Sequence, residues 1–226
     1  MGIWLRRLRS GLLRLLGSAL LLSLNLALLQ ALVCLPVNSQ RQPLWYGVGG
    51  FAAGLVVFAL LLRAQRAYVF GHEFTHWLVA KLFGRPTGAF RAGAEDGSVS
   101  VARPNIWIVL GPYLVPIYAL VWVAVYLGLG VVWPQLTPPG LFYGGLGLTY
   151  AFHCVRTVAA LRAGQSDLRH YGPVFSLLLI LAVNLAIIGG ALTALSGDPA
   201  AALRTLSDAW RPQFRLLAWL FSRGGS

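Results

Sequence analysis

Residues 68–80 read YVFGHEFTHWLVA, and this short apolar segment is the most informative stretch of the chain. The pattern H-E-x-x-H occupies residues 72–76 at its centre. On a helix, two histidines four residues apart project from the same face. The segment therefore predicts a helix that presents the imidazoles of His72 and His76 side by side, with the carboxylate of Glu73 next to them.

The overall composition excludes a water-soluble globule. Of the 226 residues, 58% are hydrophobic and only 11% are charged, and the mean hydropathy is +0.71. A soluble domain of this size needs more polar surface than such a chain can supply. The sequence therefore predicts an integral, multi-pass membrane protein, with the cell membrane as its expected location and the lipid bilayer as a partner.

Long apolar runs recur along the chain, and a run of about 20 residues suffices to cross a bilayer. They occupy residues 18–35, 44–62, 106–130, 140–161 and 172–195. The segment that carries the histidines, residues 67–83, is shorter and more polar, so it either crosses or enters the membrane from one side. These runs predict an all-α polytopic fold with five or six transmembrane helices.

The placement of arginine predicts the orientation of these helices. The first run follows a basic stretch and lacks a small-x-small cleavage pattern, which favours a retained helix with its N-terminus inside over a cleaved signal peptide. If residues 67–83 enter from the inner side without crossing, most basic residues lie inside, whereas a full crossing divides them almost evenly. The positive-inside rule therefore favours five crossings and an inward-facing site.

The net charge of +12 would suggest nucleic-acid binding in a soluble protein. Here the arginines mostly flank apolar runs, where basic side chains meet lipid headgroups and set topology. We therefore expect no nucleic-acid partner.

Two segments outside the apolar runs have patterns of their own. Residues 87–101 alternate polar and apolar residues around Asp96-Gly97, which predicts a β-hairpin with a tight Asp-Gly turn. In residues 196–226, apolar residues three or four apart predict an interfacial amphipathic helix. The chain is then a single membrane domain, 1–226, with an N-terminal transmembrane helix (1–43), a core (44–195) and this tail.

Two histidines at this spacing suit zinc, to which each gives one ring nitrogen at about 2.0 to 2.1 Å. Both cysteines, Cys34 and Cys154, lie inside apolar stretches, so a thiolate cluster is not expected. Glu73 is placed to take the proton of a water that attacks a peptide carbonyl. We therefore expect one Zn²⁺ per chain. In the alternative interpretation these groups only hydrogen-bond between helices, although ionisable residues at membrane depth usually mark function.

A zinc hydrolase needs a third protein ligand and one open position. We favour Asp167 as the third ligand, because it is the only acid flanked closely on both sides by long membrane segments. His153 and His170 are the alternatives, either as the third ligand or as hydrogen-bonding partners of the ligands. The other acids lie at the hairpin turn (Glu95, Asp96) or in the tail (Asp198, Asp208).

This set of features resembles the site-2 protease family of intramembrane zinc metalloproteases. The resemblance rests on residues 72–76 in an apolar helix, a hairpin shortly after it, Gly111-Pro112 in a membrane helix and Asp167 further on. It covers residues 44–195. It implies a metal held by His72, His76 and Asp167, Glu73 as the general base, and cleavage of a transmembrane protein substrate in or next to its membrane segment.

The chain departs from the family pattern at two places. Thr75 stands where many members have Gly before the second histidine. Around the third ligand, Gln165-Ser166-Asp167-Leu168 replaces the Leu-Asp-Gly signature of the family. We therefore expect a divergent member.

The hairpin is a candidate substrate-binding element, because an unwound substrate can pair with an exposed strand edge. Val99 and Val101 lie on its second strand and are the candidate contacts. Alternatively, the hairpin only caps the ends of helices.

Two other classes of function fit parts of the sequence. A non-catalytic metal-binding membrane scaffold, an inactive relative of the proteases, would keep the metal ligands without using Glu73. A metal or small-solute transporter would need a continuous polar path, and the apolar runs outside residues 72–167 hold few ionisable groups. The sequence does not indicate an oligomeric state.

Overall fold

The computed structural model describes residues 2–34, 42–61, 64–196 and 198–223. Helices predominate in this part of the chain, and one small antiparallel sheet interrupts them. The α-helices are α1 (Gly2–Cys34), α2 (Gln42–Val56), α3 (Gln65–Leu82), α4 (Ile106–Val109), α5 (Gly111–Leu114), α6 (Ile117–Val132), α7 (Pro139–Ala163), α8 (Ser166–His170), α9 (Pro173–Ser196) and α10 (Pro199–Arg223), and the strands are β1 (Thr87–Ala92) and β2 (Gly97–Val101). A π-helical turn, Val57–Leu61, extends α2, and a 3₁₀ turn, Pro134–Leu136, follows α6.

Among the described residues, three helical stretches are long and apolar enough to cross a membrane: Arg9–Cys34, Gln42–Leu60 and Pro173–Leu195. Helix α6 is apolar but shorter. The chain is therefore consistent with a membrane protein, as its composition predicts. The larger number of five or six crossings stays a prediction.

The run 106–130, expected as one membrane crossing with kinks or helix starts at its prolines, is divided into α4, α5 and α6. Proline is the physical cause, because it lacks a backbone N–H and clashes with the preceding turn of a helix. Pro112 lies in the first turn of α5, and Pro116 directly precedes α6. The two short helices α4 and α5 precede α6, and all three pack against α3.

The chain divides into two compact units, one of residues 1–38 and 171–226 and the other of residues 39–170. In the first unit, α1 packs along α9 and α10. The buried amide of Asn25 donates a hydrogen bond to the Leu178 carbonyl oxygen at 2.9 Å. Helix α10 is the amphipathic helix predicted for the tail, and its Ala209 is buried with Ala27 and Ala31 of α1. Part of its apolar face is therefore covered by protein.

In the second unit, α2 and α7 cross at very short range. A Cβ atom at Gly50 would lie only 2.0 Å from the Gly144 carbonyl oxygen, and one at Gly147 would lie 2.1 Å from the Gly47 carbonyl oxygen. Only glycine lets the two backbones approach this closely. This glycine contact ties α2 to the helix that leads into the region of Asp167.

The predicted hairpin is present, with β1 and β2 antiparallel and Phe90 opposite Val99. The predicted Asp-Gly turn is wrong. The turn is closed by a hydrogen bond from the Gly93 N–H to the Asp96 carbonyl oxygen at 2.7 Å, and Gly97 is the first residue of β2. Gly97 instead permits a close approach to α3, since a Cβ there would lie 2.7 Å from Cγ of Glu73 and 2.8 Å from Cγ1 of Val69.

Candidate metal centre

Helix α3 presents His72 and His76 one turn apart, as the spacing predicts. Their ring centroids are 4.8 Å apart, and their Nε2 atoms are separated by 3.2 Å. The hydroxyl of Thr75 donates to the Gly71 carbonyl oxygen within the same helix at 2.7 Å. Thr75, where the resembling family often has glycine, is therefore accommodated inside the helix without reaching the histidines.

Asp167 lies near the C-terminal end of the second unit and contacts both histidines. Helix α7 ends at Ala163 and is capped by Gly164, which adopts a left-handed conformation with φ of 64°; Asp167 lies in the first turn of the short helix α8 that follows. Its Oδ2 atom lies 3.3 Å from Nε2 of His72 and 3.5 Å from Nε2 of His76. The structure thus brings together all three residues that were favoured as ligands.

The three potential ligand atoms form a nearly equilateral triangle with sides of 3.2, 3.3 and 3.5 Å. Metal–ligand bonds of about 2.0 to 2.1 Å in a tetrahedron place neighbouring ligand atoms about 3.3 to 3.4 Å apart. The triangle therefore has the size of one face of a tetrahedral zinc site. In a site of this kind, a water or a substrate atom would take the fourth corner, as a catalytic zinc requires. The side chains of His72, His76 and Asp167 are 9, 12 and 25% exposed, which leaves access from one side.

The ring of His76 is fixed by a backbone contact. Its Nδ1 lies 2.7 Å from the Ile108 carbonyl oxygen, so Nδ1 carries the proton and donates it, which leaves Nε2 free for a metal. Ile108 is positioned by the cap of α4, where the Asn105 side chain accepts a hydrogen bond from the Ile108 N–H at 3.0 Å. The break in the run 106–130 thus supplies a hydrogen-bond partner to a candidate ligand.

Tyr113 of α5 contacts two of the three candidate ligands. Its side chain is buried, its ring packs edge-on against His72 at 5.4 Å between centroids, and its hydroxyl lies 3.2 Å from Oδ2 of Asp167. The same hydroxyl lies 2.6 Å from Oε1 of Gln165, so one proton serves two acceptors. Tyr113 therefore orients Asp167 directly and also holds the side chain of Gln165.

The charge of Asp167 is set by two opposing effects. Burial raises the pKa of the carboxyl, but the hydrogen bonds and charges of His72 and His76 outweigh burial and lower the pKa well below its ordinary value. The group is therefore a carboxylate at neutral pH and can act as an anionic ligand.

Glu73 lines a cavity of about 450 Å³ together with the three candidate ligands. The Val99 N–H of β2 donates a hydrogen bond to its carboxylate. Val99 and Val101, the candidate substrate contacts, also line this cavity. The hairpin thus forms one wall of the space in front of the histidine pair.

The other histidines stand apart from the three ligand atoms. Among the described residues, only His72, His76 and Asp167 form a group that could hold a metal. His153 is buried in α7 and lines a second cavity of about 30 Å³ that also borders His72, whereas His170 is exposed at the end of α8. A supporting role for either stays a prediction. At the hairpin turn, Glu95 lines the larger cavity.

Three polar residues of the site carry no motif and were missed from sequence: Tyr68, Tyr113 and Gln165. Tyr68 precedes His72 by four residues, so helical spacing alone could have placed it on the metal face of α3, that is, the face that carries His72 and His76. For Tyr113 and Gln165 no comparable signal exists, because their partners lie more than fifty positions away along the chain.

Compared with protein-family models, curated proteins and solved structures, the chain has no significant match. The resemblance to the site-2 proteases therefore rests on the motifs of this sequence alone.

Proposed function

We propose that this protein is a zinc-dependent intramembrane endopeptidase, similar to the site-2 proteases, that hydrolyses peptide bonds in or next to transmembrane segments. The observation that carries the proposal is the triangle of His72 Nε2, His76 Nε2 and Asp167 Oδ2, whose sides match one face of a zinc tetrahedron. The ligand types, two neutral imidazoles and one carboxylate, are those of catalytic rather than structural zinc sites.

A zinc ion held by these three residues would supply a Lewis acid that polarises a peptide carbonyl and lowers the pKa of water toward about 7. Glu73 lies beside His72 on α3 and faces the same cavity. Its carboxylate accepts the proton of the attacking water and then passes it to the departing amide nitrogen. The Ile108 carbonyl oxygen, bonded to Nδ1, holds the His76 imidazole in the orientation that leaves Nε2 for the metal.

The cavity fits an extended peptide better than an intact helix. At about 450 Å³ it has room for only about one turn of a helix of about 10 Å diameter, and it is bounded by β2 on one side and α3 on another. A substrate segment would therefore enter unwound, with Val99 and Val101 of β2 as neighbours. A transmembrane segment that is locally frayed near the membrane surface meets this requirement.

The finer membrane placement is part of the same proposal. We place the protein in the cell membrane with five or six crossings, of which five with an inward-facing site agree best with the distribution of arginine. Three of the crossings correspond to the long apolar stretches of α1, α2 and α9.

The function is tested by reconstituting the zinc-loaded protein in liposomes with single-span model proteins and following cleavage by mass spectrometry. Glu73→Gln should keep one zinc per chain and lose cleavage, because the amide cannot accept the proton. Asp208→Asn in α10 makes the same carboxylate-to-amide change away from the site and should cleave normally. Equal cleavage by Glu73→Gln and wild type would contradict the mechanism. Zinc-loaded wild type that cleaves none of the substrates would favour the metal-binding scaffold.

A further inference from the structure

Tyr68 lies at the metal face of α3 and has no place in the chemistry described so far. Its ring packs against that of His72, with centroids 5.5 Å apart, and it lines the 450 Å³ cavity together with Glu73. Its hydroxyl oxygen lies 3.3 Å from Nε2 of Gln165. The phenol is therefore held beside the ligand triangle by a residue that neighbours Asp167 in the chain.

Bond lengths fix the direction of this hydrogen-bond chain. The 2.6 Å contact between Tyr113 and Gln165 has the length of an O–H···O bond, so the tyrosine donates to the amide oxygen. The amide nitrogen then faces Tyr68, and 3.3 Å fits a weak N–H···O bond better than an O–H···O bond. Tyr68 therefore accepts from Gln165 and keeps its own proton for another partner.

A cation lies against the Tyr68 ring. The guanidinium carbon of Arg156 on α7 is 4.1 Å from the ring centroid, and Nη2 of Arg156 donates to Oε1 of Gln65 at 2.5 Å. Burial raises the pKa of the Tyr68 phenol, and the positive charge of Arg156 on the ring face acts in the opposite direction. The phenol therefore keeps its proton beside a cation that attracts electron density on the ring.

We propose that Tyr68 is a further catalytic residue, whose hydroxyl donates a hydrogen bond to the oxyanion that forms during peptide hydrolysis. This inference rests on the proposed function. The three observations that carry it are the position of Tyr68 on the cavity wall beside His72, the direction of the Gln165 hydrogen bond and the cation on the ring. Preorganised donors of this kind are a main source of rate acceleration in acyl transfer.

The atoms of the step balance without further reagents. The oxygen of water bonds to the peptide carbonyl carbon, its proton passes to Glu73, and the carbonyl π electrons move to the carbonyl oxygen. Tyr68 donates a hydrogen bond to that oxygen and keeps its proton. When the C–N bond breaks, its electron pair leaves with the nitrogen, which takes the proton from Glu73. The electron pair on the oxyanion re-forms the C=O bond of the new carboxyl group, which keeps the second proton of the water.

The test compares two ligands of the zinc-loaded protein in detergent. One is a leucine-rich peptide with a phosphinate in place of one peptide bond, which copies the tetrahedral oxyanion. The other is the unmodified peptide, whose binding is measured in proteins that also carry Glu73→Gln, so that it is not cleaved. Tyr68→Phe should weaken phosphinate binding about 100-fold, the typical loss for one oxyanion donor, and leave binding of the unmodified peptide unchanged. Tyr126→Phe, which removes a hydroxyl bonded to the Thr137 carbonyl oxygen at 2.6 Å, is the matched control and should change neither.

The other outcomes overturn the proposal in distinct ways. Unchanged phosphinate binding by Tyr68→Phe would remove Tyr68 from the oxyanion site. An equal loss for both peptides would show that it packs against substrate without favouring the tetrahedral form, and loss of zinc from Tyr68→Phe would make its role structural. If the zinc-loaded wild type neither binds the phosphinate nor cleaves any model substrate, the proposed function fails and Tyr68 fails with it.

Discussion

Nδ1 of His76 donates a hydrogen bond to the carbonyl oxygen of Ile108 at 2.7 Å. Helix α4 ends only one residue later, at Val109, so this carbonyl belongs to the last turn of a short helix. The carbonyl oxygens of a last turn have no N–H partner within their own helix. The proline-rich break between α4 and α6 thus leaves a backbone acceptor where the histidine needs one. The interruption of an apolar run is in this way connected to the orientation of a candidate metal ligand.

The zinc content should depend on both histidine and aspartate. We expect about one zinc per chain in wild type and much less in His76→Ala and in Asp167→Ala, since each change removes one corner of the ligand triangle. His170→Ala, which removes an exposed imidazole near Asp167 in the chain, should keep its zinc. Elemental mass spectrometry on matched, folded samples measures this. Full zinc retention in Asp167→Ala would show that another residue is the third zinc ligand.

Tyr113→Phe should weaken zinc binding about tenfold, at the lower end of the usual effect of residues that orient metal ligands. The change keeps the ring contact with His72 but removes the donor shared by Asp167 and Gln165. Competition with a chelator of known affinity gives the ratio. An affinity equal to that of wild type would show that the carboxylate is held without this hydroxyl.

Acidification should release zinc through the histidines and not through Asp167. A carboxyl with a lowered pKa stays ionised until the pH falls below the ordinary range, so Asp167 remains a ligand between pH 7 and 5. Imidazole nitrogens must be free of protons to bind a metal. We therefore expect zinc affinity to fall between pH 7 and pH 5, as protons compete with zinc for these nitrogens. A flat affinity profile from pH 7 to 5 would contradict histidine ligation.

Gly97→Ala should loosen the hairpin and leave the metal in place. The added Cβ would lie within 3 Å of Glu73 and Val69, so β2 must move away from α3. We expect faster hydrogen exchange in residues 87–101 and a loss of about 1 to 3 kcal/mol in stability, as in other overpacked sites. Gly128→Ala, where the new Cβ meets no atom within 4 Å, is the control. An unchanged hydrogen-exchange rate in residues 87–101 would show that the hairpin accommodates the added methyl group without loss of stability.

Gly50→Ala should destabilise the second unit by separating α2 from α7. The new Cβ would overlap the Gly144 carbonyl oxygen, whereas Gly49→Ala, one position earlier, meets open space. We expect a lower thermal midpoint in detergent for Gly50→Ala only. Equal midpoints for the two variants would show that the crossing of the helices adjusts freely.

Local patterns gave the parts of the fold that depend on neighbouring residues. The histidine pair follows from a spacing of four on a helix, and the hairpin follows from alternation along residues 87–101. The turn inside the hairpin was misassigned because Asp96-Gly97 has the letters of a two-residue turn. Gly97 is glycine for a tertiary reason, the closeness of Glu73, which no local pattern reveals.

The partners of the site depend on contacts between distant segments. Asp167 was favoured because acids are scarce near the membrane segments, and the structure places it beside both histidines. The chain of hydrogen bonds from Tyr68 through Gln165 to Tyr113 joins α3, the link between α7 and α8, and α5, and neither periodicity nor spacing connects these segments. The division of residues 106–130 was predictable from its prolines, but the use of the buried Ile108 carbonyl oxygen by His76 was not.

The position of Asp167 on α8, far along the chain from α3, also has a consequence for the unfolded ensemble. A metal shared by these segments closes a loop that contains both strands and helices α4 to α7, and closing a long loop removes more chain entropy from the unfolded state than closing a short one. Bound zinc would thus act as a removable cross-link. The same ion would fasten the end of α7 to α3, so chelation would loosen the fold around the cavity that Glu73 and the histidine pair line.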